Sequence, residues 1–191
     1  GSSGDYILSG TGGVNANLDI INNLPERIFN TSVEATFSGA AFSKSSVTAG
    51  AGGFFRSIDN TILWYKRSIS LLGDLGPGED VNMDFRLTPL SYQSIPSGAV
   101  PEIKMRVRVK GERILFSGAV ENIESSEERT IKLATNLTLA PRLVRSQGTI
   151  ENSGPIPPQA DKETTYTVIW SLSNSFNTAN SIEVKAVLPS Y

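Results

Sequence analysis

The chain has 191 residues, 39% hydrophobic and 19% charged, and a net charge of −2 at pH 7. That is the composition of a globular protein, and its weak acidic balance supplies no field that would gather nucleic acid. It contains neither Cys nor His, which excludes disulfides, zinc–thiolate and iron–sulfur sites, thiol nucleophiles, the commonest general base and any Ser-His-Asp triad.

No apolar run approaches the roughly 18 residues that a membrane span needs, and no signal-peptide pattern opens the chain. Any export or anchoring signal is therefore expected outside this stretch. A cysteine-free chain suits an extracytoplasmic bacterial or archaeal module.

In chain order, period-two alternation dominates. The early part is punctuated by Gly12-Gly13, by Asn22-Asn23-Leu24-Pro25, by the glycine loop Gly50-Ala51-Gly52-Gly53, by Asp59-Asn60 and by Gly76-Pro77-Gly78. Such clusters are turn chemistry. Val81, Met83, Phe85 and Leu87 then alternate with Asn82, Asp84 and Arg86, the pattern of a strand with one face on a core. Pro89, Pro96, Ser97, Gly98 and Pro101 follow without periodicity. Proline fixes φ and removes a donor, so the stretch 91–100 reads as a stiff linker between a module at 1–90 and a second at 101–191.

Beyond it, Ile103, Met105, Val107 and Val109 alternate with Lys104, Arg106, Arg108 and Lys110. Ile131, Leu133, Leu137 and Leu139 share one phase, Tyr166, Val168, Trp170 and Leu172 another, and Ile182, Val184, Ala186 and Leu188 a third. Many short strands with frequent turns predict an all-β chain of two tandem Ig-like antiparallel β-sandwich modules. The stretches Asn17 to Phe37 and Tyr166 to Leu188 also share a plan: an alternating strand reaches an Asn (Asn23, Asn174), a polar loop follows, and a second strand opens as Ser-Val-Glu-Ala or Ser-Ile-Glu-Val. One unit used twice is the mark of a repeat protein.

These motifs resemble the DUF11-like or CARDB-like domains of bacterial and archaeal surface proteins. Tyr166 to Trp170, Leu172, Asn174, Ala179, Ile182, Val184 and Leu188-Pro189 look like the first half of that pattern. Ile62, Trp64, Leu75-Gly76-Pro77-Gly78-Glu79 and Val81 to Leu87 look like its second half. The second module has no Trp strand after its opening and no Pro-Gly-Glu turn, so the resemblance implies that it is incomplete at the C-terminus. It also implies a spacer or interaction module exposed at the cell surface. The partners implied are neighbouring Ig-like modules, a glycan or a surface protein, with membrane attachment only through anchors elsewhere.

Two features offer surface contacts. Lys104, Arg106, Arg108 and Lys110 put four cations on one strand face, which would meet an anionic polymer. Otherwise they are a solvated face opposite Glu124, Glu127 and Glu128, or the guard of an edge strand. Of the adjacent aromatics Phe54-Phe55 and Trp64-Tyr65, one of each pair must point outward in an extended segment; Phe55 and Tyr65 are the residues expected to meet a sugar. Asp59, Asp74, Glu79, Asp80 and Asp84 lack calcium-loop spacing, and no metal, cofactor or catalytic residue is assigned. Lys132 and Lys185 fall on polar phases, which disfavours a Lys–Asn amide cross-link in a core. The expected role is that of a non-catalytic spacer that holds other domains away from the envelope, with an adhesin-like binding module as the alternative.

Overall fold

The computed structural model describes residues 5–7, 12–146, 151–175 and 179–187. Its strands are β1 (Asp5–Ile7), β2 (Val14–Ile21), β3 (Ile28–Ser38), β4 (Thr48–Ala49), β5 (Phe54–Arg56), β6 (Thr61–Tyr65), β7 (Asp74–Leu75), β8 (Asp80–Leu87), β9 (Glu102–Ile114), β10 (Val120–Leu133), β11 (Leu137–Val144) and β12 (Thr167–Asn174). Short 3-10 turns occur at Lys44–Ser46, Ser70–Gly73 and Tyr92–Ser94, and the described residues contain no α-helix. The chain is all-β, as its alternation predicts. It divides into two compact units, 1–134 and 135–191.

The first unit is a sandwich of two sheets. The larger runs β1-β10-β9-β3-β6-β5 with β7 also on β3; the smaller runs β2-β8-β4. With β1 parallel to β10 and the other pairs antiparallel, the two sheets divide the strands as an immunoglobulin fold does, and β8 packs across the core against β3. The alternation of β8 translates directly into packing: Val81, Met83, Phe85 and Leu87 are buried while their neighbours are exposed. Val33, Ala35 and Phe37 of β3 and Ile62 and Trp64 of β6 are buried in the same core. Phe85 crosses Phe37 edge-on at 5.2 Å between ring centroids, and Phe42 stacks on Phe37 at 5.5 Å. Aromatic pairs at these separations add to plain area burial.

Two signature pieces of the sequence are structural devices here. Asn22, 1% exposed, ends β2 and donates from Nδ2 to the carbonyls of Glu26 (2.9 Å) and Leu75 (3.0 Å), while its Oδ1 accepts from the Leu24 N–H. The Leu75 to Glu79 turn docks beside it: Glu79 Oε2 accepts from the Gly76 N–H at 2.5 Å, and the Gly78 N–H reaches the Asn22 carbonyl at 2.8 Å. Gly78 sits at φ +75°, a left-handed conformation that a Cβ penalises. Gly53 has a different reason: a Cβ there would lie 2.4 Å from the Trp64 indole nitrogen.

The expected linker at 91–100 is corrected. Ile95 is buried, Tyr92 donates its hydroxyl to the Ala134 carbonyl, and the Leu90 N–H reaches the Ala41 carbonyl at 2.9 Å. The strand that follows, β9, lies between β10 and β3 of the first unit's larger sheet. Proline removes donors, but it does not stop a segment from packing as a connection between two strands of one sandwich. The division falls instead between 134 and 135, within a stretch whose apolar phase continues from Ile131 to Leu139.

The second unit pairs β11 with β12 in antiparallel register, Leu139 opposite Leu172 and Leu143 opposite Val168. The loop between them is tied by Asn152, whose Nδ2 donates to the Arg145 carbonyl and to Thr167 Oγ1, both at 2.9 Å. Residues 182–187, expected as a strand, have none assigned; Leu188 lies outside the described residues. Among the described residues this unit has one sheet and no second layer, so the two expected sandwiches appear as one closed sandwich and one open sheet.

Candidate interaction face

The outward face of the larger sheet gathers nearly all the residues singled out from the sequence. Because side chains alternate across a strand, the even residues of β9 share one side with the even residues of β3 and β10 and the odd residues of β6. Lys104, Arg106, Arg108 and Lys110 therefore project together, bordered by Tyr65 on β6 and by Phe54 on β5.

Each of the four cations has a carboxylate partner. Arg106 donates Nη2 and Nε to Glu128 Oε2 at 2.9 and 3.2 Å. Arg108 Nε lies 3.2 Å from Glu124 Oε1, Lys110 Nζ 3.7 Å from Glu34 Oε2, and Lys104 Nζ 3.4 Å from Glu102 Oε1. Such exposed pairs contribute below about 1 kcal/mol each, but together they cancel the field that the cation stripe alone would produce. The expected cross-strand acids Glu124 and Glu128 are in place; Glu127 lies on the opposite face with Arg129, 2.8 Å away. The edge-strand reading of these cations is corrected, since β9 is hydrogen-bonded on both sides.

The aromatics divide as the extended backbone requires, with one change. Tyr65 is 41% and Phe54 61% exposed, whereas Phe55 is half-buried on the core side, opposite Ile62. Phe54, and not the expected Phe55, is the ring presented to solvent. Trp64 is fully buried, and its Nε1 donates to the Gly50 carbonyl at 3.0 Å.

The acids are engaged locally. Asp59 accepts from Arg56, and that hydrogen bond holds its carboxyl below the usual carboxylate range while raising the guanidinium. Arg27 is raised by its hydrogen bond to Asp74 at 2.7 Å, and Arg113 by its bond to Glu121 at 2.5 Å. Asp80 and Asp84 stand on the exposed phase of β8. Among the described residues no three acids converge as a metal site would need, and no helix is long and apolar enough to cross a membrane.

One arrangement was not legible in the sequence. Lys66 Nζ donates to Asn30 Oδ1 at 2.9 Å, and Asn30 Nδ2 donates to Glu112 Oε2 at 2.8 Å. Asn30 sits at φ +50° in the bulge where β3 slips its register against β9. The chain of three is exposed, so water competes for its hydrogen bonds.

No family model matches the chain, and no curated protein matches it. Among solved structures it is similar to BcpA, the major pilin subunit of Bacillus cereus, at 9% identity and a TM-score of 0.38. That alignment covers 91% of this chain and 52% of the pilin, so the chain spans about half of its length. At that score the overlap assigns neither fold nor role; the all-β architecture stands on the strands themselves.

Proposed function

We propose that this chain is a non-catalytic structural module of a surface-exposed repeat protein, which holds other domains away from the cell envelope. The observation that carries the reading is the broad face of the larger sheet, where every cation of the β9 stripe is matched by a carboxylate. A face so neutralised neither attracts a charged polymer nor holds a reactive group poised. The strands that carry it, of 13 and 14 residues, pair over nearly their full length, which makes a stiff body well suited to transmit distance. The partners of such a module are its neighbours in the same chain, and its place is the cell exterior. Deleting residues 1–134 from the parent protein and measuring its reach by small-angle scattering tests the role. A shortening by about one sandwich length is expected, and an unchanged reach contradicts it.

The second reading is an adhesin-like module for a glycan or a protein. It is favoured by Phe54 and Tyr65, two exposed rings on the same face. A glycan array separates the two: binding that is lost in Phe54→Ala and Tyr65→Ala supports the adhesin, and an array without signal supports the spacer.

A further inference from the structure

The smaller sheet of the first unit has three strands, against six along the path of the larger one, and among the described residues the inner side of β10 lines a groove instead of lying under a strand. The result is a groove of about 1190 Å³ walled by Leu18 and Ile20 of β2 and floored by Val109, Ile123 and Ile131. Ala16, Leu18 and Ile20 stay half-buried as a consequence, unlike the fully buried residues of β8. Thr31 of β3 also lines the groove; it is 2% exposed, and its hydroxyl has no hydrogen-bond partner.

The ladder parity identifies what is missing. The Asn22 N–H donates to the Glu79 carbonyl at 3.0 Å, continuing the β2–β8 pairing. By antiparallel alternation, the peptide groups of Ala16, Leu18 and Ile20 face β8, and those of Asn15, Asn17, Asp19 and Ile21 face the other edge. No described strand pairs with that edge. It contains neither Pro nor Lys, and its one charged residue is Asp19, so the two commonest guards against strand addition are missing.

The second unit supplies the template. There the Ser175 N–H donates to the Asn136 carbonyl at 3.2 Å, so the peptide groups of Ile169, Ser171 and Ser173 face β11, while those of Val168, Trp170 and Leu172 face away. Aligning the two copies of the repeat by their apolar faces sets Ala16, Leu18 and Ile20 on Val168, Trp170 and Leu172, and sets Asn22 on Asn174. In that alignment β11 occupies on β12 the edge that is bare on β2.

We infer that the bare edge of β2 and its groove form a strand-addition site for an extended peptide supplied in trans by another polypeptide. The peptide runs antiparallel to β2 over about eight residues and places apolar side chains at alternate positions, as β11 does in Leu137-Thr138-Leu139-Ala140-Pro141-Arg142-Leu143-Val144. Main-chain hydrogen bonds to Asn15, Asn17, Asp19 and Ile21 hold it, and its apolar side chains cover Val109 and Ile123. The inference goes beyond the spacer reading and can fail without it.

The test is a fluorescently labelled synthetic peptide of sequence 137–144, titrated into the full chain by polarisation. A control peptide carries the same residues with the alternation broken. Saturable binding tighter than about 1 mM is expected for the first peptide only. Asn17→Pro removes an N–H that faces the bare edge without touching the β8 ladder, and should weaken binding about tenfold or more with the thermal midpoint unchanged. In the unaltered chain, hydrogen exchange at Asn15, Asn17, Asp19 and Ile21 should slow on peptide addition. No saturable binding, equal binding of the control peptide, or exchange unchanged along β2 would each overturn the site.

Discussion

In residues 1–134 the alternation of β8 ends with Val81, Met83, Phe85 and Leu87 at 3% exposure or less, whereas in residues 135–191 the equally regular Val168, Trp170 and Leu172 remain 45–48% exposed. Both strands obey the same period of two. What differs is the layer opposite: β8 has β3 and β6 across the core, and no described strand of the second unit faces the apolar side of β12. Alternation chooses which side chains share a face, but burial requires a second layer, and a two-stranded sheet without one is marginal in water. Cohesion is thus expected to reside in the first unit.

The sharpest way to break that contrast is to truncate one aromatic in each unit. Phe85→Ala should cost about 3–5 kcal/mol in urea denaturation, because the ring is buried against Phe37 and the cavity cannot collapse fully. Asn22→Ala should cost about 2–3 kcal/mol, since it leaves the Glu26 and Leu75 carbonyls without their donor in a buried turn. Gly53→Ala should cost about 1–3 kcal/mol by forcing a methyl group against the Trp64 indole; a shift of the Trp64 fluorescence maximum, read in a Trp170→Phe background, reports the displaced ring. Trp170→Ala, in the open sheet, should cost less than about 1 kcal/mol by the same urea measurement.

The smallest effect concerns the surface. Asp59 is lowered by its bond from Arg56, so the contribution of that pair is present above the unfolded aspartate value, about 3.9, and is lost as pH falls through the lower folded value. A carboxyl-carbon NMR titration should place the Asp59 midpoint below that of a free aspartate, and Arg56→Ala should return it upward.

Much of the first unit was legible in the residues. The buried set of β8 is the set its alternation names, and the outward cations of β9 project where their phase puts them. The misreadings have physical causes. The proline-rich 91–100 stretch reads as a linker because proline announces the loss of a donor, not whether Ile95 beside it is buried. The choice between Phe54 and Phe55 depended on register against Ile62 and Leu63, which a single strand does not encode. The repeat reads from the sequence as anchored on Asn23, and matching the apolar faces of β2 and β12 moves that anchor to Asn22, the residue that is buried and bonded. The chain of Lys66, Asn30 and Glu112 joins the turn after β6 to β3 and β9 at a bulge, so no local pattern announces it.

Native-state hydrogen exchange read residue by residue tests most directly whether the closed sandwich holds the stability of the chain. The amides of Val33, Ala35, Phe85 and Val107 should exchange only through global opening and be the slowest in the molecule, with those of Ile169 and Ser171 in the open sheet faster by orders of magnitude. Equal protection in β11 and β12 would contradict that assignment.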